Sequence, residues 1–198
     1  MKQNVDQVEA LKRDLTEERR IRRALIDSSV RLNSMFNLPE LLRTIMQTAA
    51  DLLGAEAASL LMYDQAKHEL TFEVAVGETQ DHIKTLRVPA DKGIAGWVLK
   101  NQKPAVVDQA HKDPHFSDAI DRALAFTTRS VLAIPLNSRD RVIGVIEVIN
   151  KKGKTGFSDR DLEVASAFAA QAAVAIDNAQ FYEKLADTVV QSRLTYRL

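Results

Sequence analysis

The chain has 198 residues, enough for one domain of ordinary size with an appendage. Its 27 basic and 27 acidic residues balance, which argues against nucleic-acid binding because that function usually requires a basic surface. The absence of cysteine excludes disulfides, thiolate metal sites and cysteine nucleophiles. The N-terminus has no apolar signal-like core, and no stretch is apolar enough to span a membrane. We therefore expect a cytoplasmic protein with no membrane or nucleic-acid partner.

Residues 1–36 are predicted to form a helix, because they contain neither Gly nor Pro and are rich in helix-forming residues. Apolar residues recur there at spacings of three, four and seven, which is typical of a coiled coil. The charged segment TEERRIRR interrupts this stripe, with Glu18 and Arg22 on the seam. The alternative is a helix packed on its own domain. We favour pairing with a second chain, because the apolar face is narrow.

A second helix is predicted from about residue 38. Pro39 suits the first helical turn, and the charge of Glu40 favours the helix dipole there. Apolar residues from Leu41 to Leu53 repeat with the 3.6-residue period of a core helix. Gly54 follows the last of them and is expected to end the helix.

The middle of the chain, about residues 57–150, is predicted to contain strands with short helices between them. In one strand Leu70, Phe72, Val74 and Val76 alternate with other residues, which predicts one buried face. The last two strands are joined by a polar hairpin loop at 137–140. The predicted strands are 57–63, 70–76, 105–108, 130–135 and 142–149, and the predicted short helices are 93–101 and 116–125.

Residues 158–191 are predicted to form a last, long helix. Ser158 is a good N-cap, and Asp161 lies three residues further on, in the arrangement of a capping box. A helix of this length outruns a small domain, so we expect its far end to meet a partner. The order of the elements predicts an α+β fold, with an antiparallel sheet and the helices gathered on one face.

Three segments, read in order, resemble a GAF domain: GIAGWVLKNQKPAVVDQAHKDPHF, FTTRSVLAIPL and RVIGVIEVINKKGKTGFSDRDLE. The resemblance covers about residues 38–184 and is similar in style to the GAF domains of cyclic-nucleotide phosphodiesterases, adenylyl cyclases and bacterial signalling proteins. It implies a GAF domain at 37–184, flanked by the coiled-coil-like helix 1–36 and a C-terminal continuation at 185–198. It also implies a regulatory protein and not an enzyme. The glycines of GIAG do not form a phosphate-binding P-loop, since GxxxxGK[ST] is absent.

The resemblance also implies a ligand site, with cAMP or cGMP as candidate ligands and no required cofactor. A buried purine needs a few placed donors and acceptors in an apolar cavity, and the N–H groups at a helix start can bind a cyclic phosphate. The implied ligand-binding residues are Ser59, Ile94, Ala95, Phe116, Ser117, Asp121, Thr128 and Glu147.

A family signature after the last strands is matched in part. Asn150 and Lys151 begin it, and Phe157 and Asp161 follow at the expected distances, whereas Glu163 is displaced by one position. In the family the Lys and Asp form an internal salt bridge that shapes the pocket. The resemblance therefore implies a structural Lys151–Asp161 pair, the alternative being two solvated surface charges.

Four positions depart from the family pattern. Ser117 stands where an aromatic residue is often found. Ala75 and Val76 stand where a Phe-Asp pair often stacks on the base and hydrogen-bonds to it, and Leu124 stands in place of a Thr. Losing these contacts costs a few kcal/mol, or ~100-fold in affinity. Two functions therefore stay open. One is a sensor that binds a small molecule and signals through a dimeric helical bundle, to a C-terminal effector domain if the chain is a fragment. The other is a ligand-free dimerisation module.

A metal or haem site is the less favoured interpretation of the histidines. His111 and His115 are four residues apart, but Pro114 lies between them and breaks helical facing. We therefore favour a polar loop over the pocket. His115 is the candidate ligand if the resemblance extends to GAF domains that bind haem.

Overall fold

The computed structural model describes residues 38–77, 83, 86–138, 141–153 and 156–195, together with part of 7–23 (all but 8, 10, 11, 14, 17 and 21), and its side chains are described up to residue 182. Every described residue within 7–23 is helical. Glu18 and Arg22, which the heptad pattern placed on the seam, form an exposed ion pair one turn apart, at 2.8 Å. Most of the predicted coiled-coil stripe lies outside the described residues.

The remaining elements alternate as the sequence predicts, with two additions. In chain order they are α1 (Leu38–Leu52), β1 (Ala55–Asp64), β2 (Glu69–Val76), β3 (Arg87–Pro89), α2 (Gly93–Asn101), β4 (Ala105–Val107), a 3₁₀ turn (Ala110–Lys112), α3 (Ala119–Leu124), β5 (Val131–Ser138), β6 (Arg141–Lys151) and α4 (Asp159–Thr195). The additions are β3 and the 3₁₀ turn, each of which has only three residues, too few to show a periodic pattern.

The strands form one six-stranded sheet in the order β3-β2-β1-β6-β5-β4. Every neighbouring pair is antiparallel. The predicted α+β class with an antiparallel sheet is thus confirmed. The long strands β1 and β6 occupy the centre, so that residues at the middle of either strand are enclosed on both sides by other strands.

Helices cover both faces of this sheet. The long helices α1 and α4 pack together on one face, where Leu41, Ile45 and Ile176 are fully buried. The short helices α2 and α3 lie on the opposite face with a separate apolar cluster that includes Ile94 and Val98. The prediction that the helices gather on one face therefore describes α1 and α4 alone. The short helices lack the length to cover a sheet face completely, and they leave a space against it.

A bulge redirects strand β2. The sequence pattern places Leu70, Phe72, Val74 and Val76 on one face, and all four are buried. The β1–β2 register shifts between Leu60 and Leu61, however. As a result Leu70 and Phe72 belong to the cluster under α2, whereas Val74 and Val76 belong to the cluster under α1 and α4. An inserted residue of this kind reverses the side to which a strand presents its side chains.

Two predicted helix ends are confirmed, the C-terminal end of α1 and the start of α4. Gly54 follows α1 in the left-handed conformation, with φ of +56°. At the start of α4 the Ser158 backbone N–H donates to Asp161 Oδ2 at 2.8 Å, and the Asp161 N–H donates to Ser158 Oγ at 3.2 Å. These reciprocal bonds form the capping box and fix where the last helix begins.

Candidate ligand-binding site

A cavity of about 270 Å³ lies between the centre of the sheet and the short helices. Strands β1 and β6 form its floor, and β3 and the starts of α2 and α3 form its walls. Most of its lining is apolar, with Phe72 and Val131 on the sheet and Ile94 and Ile120 on the helices. A cavity with this lining suits a small organic molecule that is held by a few polar groups.

All eight residues expected to bind ligand lie around this one cavity. They are distributed over both central strands, both short helices and the segments next to α3. The lining includes Ser59, Ile94, Ala95, Phe116, Ser117, Asp121, Thr128 and Glu147. The four positions that depart from the family pattern, Ala75, Val76, Ser117 and Leu124, all line it. The residues that favour a ligand and those that argue against one therefore line the same cavity.

Glu147 is the acidic group of the cavity floor. It lies on β6, opposite Ser59 of β1 and Ala133 of β5. Ser59 Oγ donates a long hydrogen bond to Glu147 Oε2 at 3.5 Å. Burial raises the pKa of Glu147 to about 7; the Ser59 hydrogen bond opposes this rise and the charge of Asp121 adds to it. The surface that Glu147 keeps accessible faces the cavity.

The raised pKa of Glu147 makes a prediction about stability. A carboxyl group whose pKa is higher in the folded chain than its ordinary 4.5 is penalised when it ionises, so stability falls as the pH rises from about 4.5 through about 7. Glu147→Gln removes this penalty. From pH 5 to pH 8 we expect the free energy of unfolding of the wild type to fall by roughly 2 kcal/mol more than that of the variant. Urea unfolding at both pH values measures the difference, and equal pH dependence in the two proteins would contradict it.

Asp121 and Thr128 form a closed pair at the side of the cavity. The Thr128 backbone N–H donates to Asp121 Oδ2 at 2.8 Å, and Thr128 Oγ1 donates to Asp121 Oδ1 at 2.6 Å. Both residues are buried. Thr128 can reach Asp121 because Ala125, at the end of α3, adopts a left-handed conformation with φ of +50° and turns the chain back toward the helix. Both carboxylate oxygens of Asp121 are thus already bonded within the protein.

Among the described residues of the lining, the positive charges lie at the opening of the cavity. Arg87 and Lys92 line it there, and both are exposed. Lys92 precedes α2 in an extended conformation, and its side chain does not cap the helix. The first N–H groups of a helix lack intrahelical acceptors, so this end of α2 can accept a negatively charged group. The cavity is therefore acidic at its floor and electropositive at its opening.

Asn150 holds the segment that carries Thr128. Its Oδ1 accepts from the Arg129 N–H at 2.7 Å and from the Ser130 N–H at 3.3 Å. Its Nδ2 donates to the Thr127 carbonyl at 2.9 Å and to Glu56 Oε2 at 3.1 Å. The peptide groups on both sides of Thr128 are fixed by this one side chain. Asn150 belongs to the family signature, but the sequence does not indicate what its side chain does.

The Lys151–Asp161 pair is present and partly buried. Lys151 Nζ donates to Asp161 Oδ1 at 2.6 Å and to the Leu53 carbonyl at 2.8 Å. The two charged side chains retain only 21% and 16% of their exposure, so they are not solvated surface groups. Burial tends to raise the pKa of Asp161, but the hydrogen bonds from Lys151 and Ser158 outweigh it and lower the pKa. The pair joins the ends of α1, β6 and α4.

The two histidines of the loop before α3 are not arranged as metal ligands. His111 packs edge-on against Phe116, and His115 lies beside Trp97, with its Nδ1 3.2 Å from Asp113 Oδ1. His115 is outside the cavity lining. Across the described residues, no three His, Asp or Glu side chains are gathered so that they could hold a metal ion. No helix among those same residues has the length and apolarity needed to cross a membrane.

Taken together, the antiparallel sheet, its two long backing helices and the cavity under the short helices define an α+β domain with an internal cavity against the centre of its sheet. The GAF domain model matches residues 37–176, and the chain belongs to the GAF domain family. GAF domains are regulatory modules that bind ligands and take part in signalling.

Individual relatives differ in activity. Over 183 residues the chain is 25% identical to the probable 3',5'-cyclic phosphodiesterase pde-5 of Caenorhabditis elegans; the match covers 87% of this chain and 25% of that protein. The GAF domain of a phosphoenolpyruvate-protein phosphotransferase from Coxiella burnetii has a TM-score of 0.75 and 19% identity, with 83% of this chain and 96% of that one covered.

The free methionine-R-sulfoxide reductase of Neisseria meningitidis, solved with its substrate, has a TM-score of 0.70 and 17% identity, with 82% and 91% of the two chains covered. The same fold therefore serves both enzymes and regulatory domains.

Proposed function

We propose that this chain is a cytoplasmic, non-enzymatic sensor whose cavity binds a small molecule, with the purine cyclic nucleotides cAMP and cGMP as the candidate ligands. The observation that carries the proposal is that all eight expected ligand residues line one cavity. They arrive there from elements as far apart in sequence as Ser59 and Glu147. An apolar core would not collect these polar groups around an open space.

The distribution of charge around the cavity fits a nucleotide. Glu147 and Ser59 on the floor can bind the polar edge of a base, and the apolar walls can enclose its ring. The start of α2, with Lys92 and Arg87 nearby, can bind a phosphate. The volume of about 270 Å³ is near the lower end of the range for small-molecule cavities, which suits a compact ligand. The similarity to a probable 3',5'-cyclic phosphodiesterase supports the same ligand class.

Calorimetric titration with cAMP and cGMP tests this proposal, after native mass spectrometry of the protein purified from cells. We expect micromolar binding that Thr128→Val weakens at least about tenfold, because it removes a buried hydroxyl of the cavity. Thr44→Val makes the same chemical change on α1, on the far side of the sheet, and is expected to leave affinity unchanged. A different co-purifying mass would identify another ligand class.

The alternative of a ligand-free dimerisation module is favoured by a specific observation. The polar groups of the cavity already bind one another, Thr128 to Asp121 and Ser59 to Glu147. Ala75 and Val76 provide no aromatic ring for stacking on a base. Absence of heat with both nucleotides, together with no co-purifying small molecule, would make this the better account.

Both functions include a homodimer formed through the terminal helices. The outer face of α4 is exposed along a line of residues three or four positions apart: Ala167, Ala170, Val174, Asn178 and Phe181. Val174 and Phe181 are 53% and 58% exposed and lie on this same line, so that the exposed apolar side chains share one face of the helix. The spacing is that of a helix that packs lengthwise on another. We propose that a second copy covers this line and that the bundle transmits the signal to a C-terminal effector domain.

Analytical ultracentrifugation at micromolar concentration tests the dimer. We expect the full chain to sediment as a dimer and Val174→Glu with Phe181→Glu to sediment as a monomer, because a charge at each position would lie in the interface. Glu163→Gln, on the same exposed face near the start of α4, is the control. A monomeric wild-type chain would rule out the bundle. A shortened chain, 37–198, shows whether the N-terminal helix contributes.

A further inference from the structure

One acidic group in the cavity has most of its hydrogen-bonding capacity unused. Asp121 binds Thr128 through both oxygens, but Glu147 has a single long contact, with Ser59 at 3.5 Å. An ionised carboxylate offers about four acceptor positions, and a protonated one offers a donor as well. Because Glu147 lines the cavity, these positions face whatever occupies it.

The surroundings of Glu147 leave its charge uncompensated. Its strand neighbours are Ser59 on β1 and Ala133 on β5, which carry no charge. On the side of the short helices, Asp121 of α3 is the charged group that acts on it. Within the described part of the chain, the basic residues of the cavity, Arg87 before α2 and Lys92 at its start, are exposed at the opening. A ligand group on the floor of the cavity therefore meets a carboxyl group that can adopt either protonation state.

The two protonation states fit different ligand edges. A protonated carboxyl presents one donor and one acceptor side by side, and an ionised carboxylate presents two acceptors. The Watson–Crick edge of adenine offers an amino donor beside a ring-nitrogen acceptor, so it matches the protonated form. The corresponding edge of guanine offers two adjacent N–H donors, so it matches the ionised form. A mismatch leaves a buried polar group without a partner.

We propose that Glu147 is the specificity-determining residue of the cavity, accepting an adenine-type edge when it is protonated and a guanine-type edge when it is ionised. This inference rests on the proposed nucleotide function. The geometry supports it through the position of Glu147 at the middle of the sheet, under the apolar walls that would hold the ring. The pKa of about 7 places the change of state within the physiological range.

The test is calorimetric titration of the full chain with cAMP and with cGMP at pH 6 and at pH 8. Neither nucleotide changes its own charge between these values, so a change in preference reports on the protein. We expect the ratio of the cAMP Kd to the cGMP Kd to rise at least about tenfold from pH 6 to pH 8. Glu147→Gln is the matched variant, because its amide is a fixed donor and acceptor. We expect it to prefer cAMP equally at both values.

A second variant keeps the carboxyl group in place. Ser59→Ala removes the hydrogen bond that favours the ionised form, so the pH at which the preference changes should move upward. A downward move would overturn the role of Glu147. A ratio that does not depend on pH in the wild type, with both nucleotides bound, would overturn this inference and leave the proposed function intact. Absence of binding by both nucleotides at both pH values would overturn the two together.

Discussion

Asn150→Ala is expected to lower the free energy of unfolding by roughly 3 kcal/mol, and it is one of the two most damaging substitutions that we predict. The residue is 1% exposed and makes four hydrogen bonds, three of them to the backbone of 127–130. Without its amide, the Arg129 N–H and the Thr127 carbonyl lose their partners. A fully buried group left in that state costs about 1–3 kcal/mol, and these partly buried groups each cost toward the lower end of that range.

The conformation of Asn150 adds a smaller cost, which a second variant isolates. Its φ is +59°, in the left-handed region that Asn tolerates better than Ala. Asn150→Gly loses the same hydrogen bonds without this strain, so it should be about 1 kcal/mol less destabilised than Asn150→Ala. Chemical unfolding of both variants measures the two contributions. If either variant were as stable as the wild type, the assigned hydrogen bonds would not stabilise the folded chain.

Gly144→Ala is expected to destabilise the fold by about 3 kcal/mol, by separating the two central strands. Gly144 lies on β6 opposite Met62 of β1, next to the bulge between Leu60 and Leu61. A Cβ atom at this position would overlap the backbone carbonyl of Leu61. A backbone atom cannot rotate away as a side chain can, so the strands must move apart and strain the hydrogen bonds between them.

The control for Gly144 is a glycine with open space around it. Gly54 has φ of +56° and nothing within 4 Å of an added Cβ, so Gly54→Asn tests a substitution without a clash. Asn accepts this conformation, and we expect a loss below ~1 kcal/mol. Thermal unfolding of the two variants should therefore differ clearly. A Gly144→Ala protein as stable as Gly54→Asn would mean that the central strands can shift without cost.

The sequence predicts the longer elements of this fold and not its local exceptions. The long strands and the long helices are predicted because burial imposes a period on many residues in succession. Strand β3 is too short to show a period, and the bulge opposite Leu60 and Leu61 leaves no mark in the alternation of β2. The positions of Leu70 and Val74 on different faces could therefore not be inferred from the pattern alone.

The candidate site shows the same limit. Its residues were found because a resemblance aligned them, and the structure places them around one cavity. The pairing of Thr128 with Asp121 depends on a left-handed turn at Ala125, a residue with no preference for that conformation. The role of Asn150 depends on a similar turn. Tertiary contacts stabilise both conformations, and one-dimensional patterns do not contain such contacts.

Strand β6 has a mechanical property that follows from the left-handed turn at Asn150. Glu147, four positions before the end of the strand, lies on the cavity floor. Lys151 lies on the opposite side, where it donates hydrogen bonds to the carbonyl of Leu53 and the carboxylate of Asp161. The left-handed residue Asn150 thus turns the side chains of this strand from the cavity side, at Glu147, to the side of the long helices, at Lys151. A displacement of this strand along its axis would pull on the ends of both long helices at once, with no relay of intervening side chains.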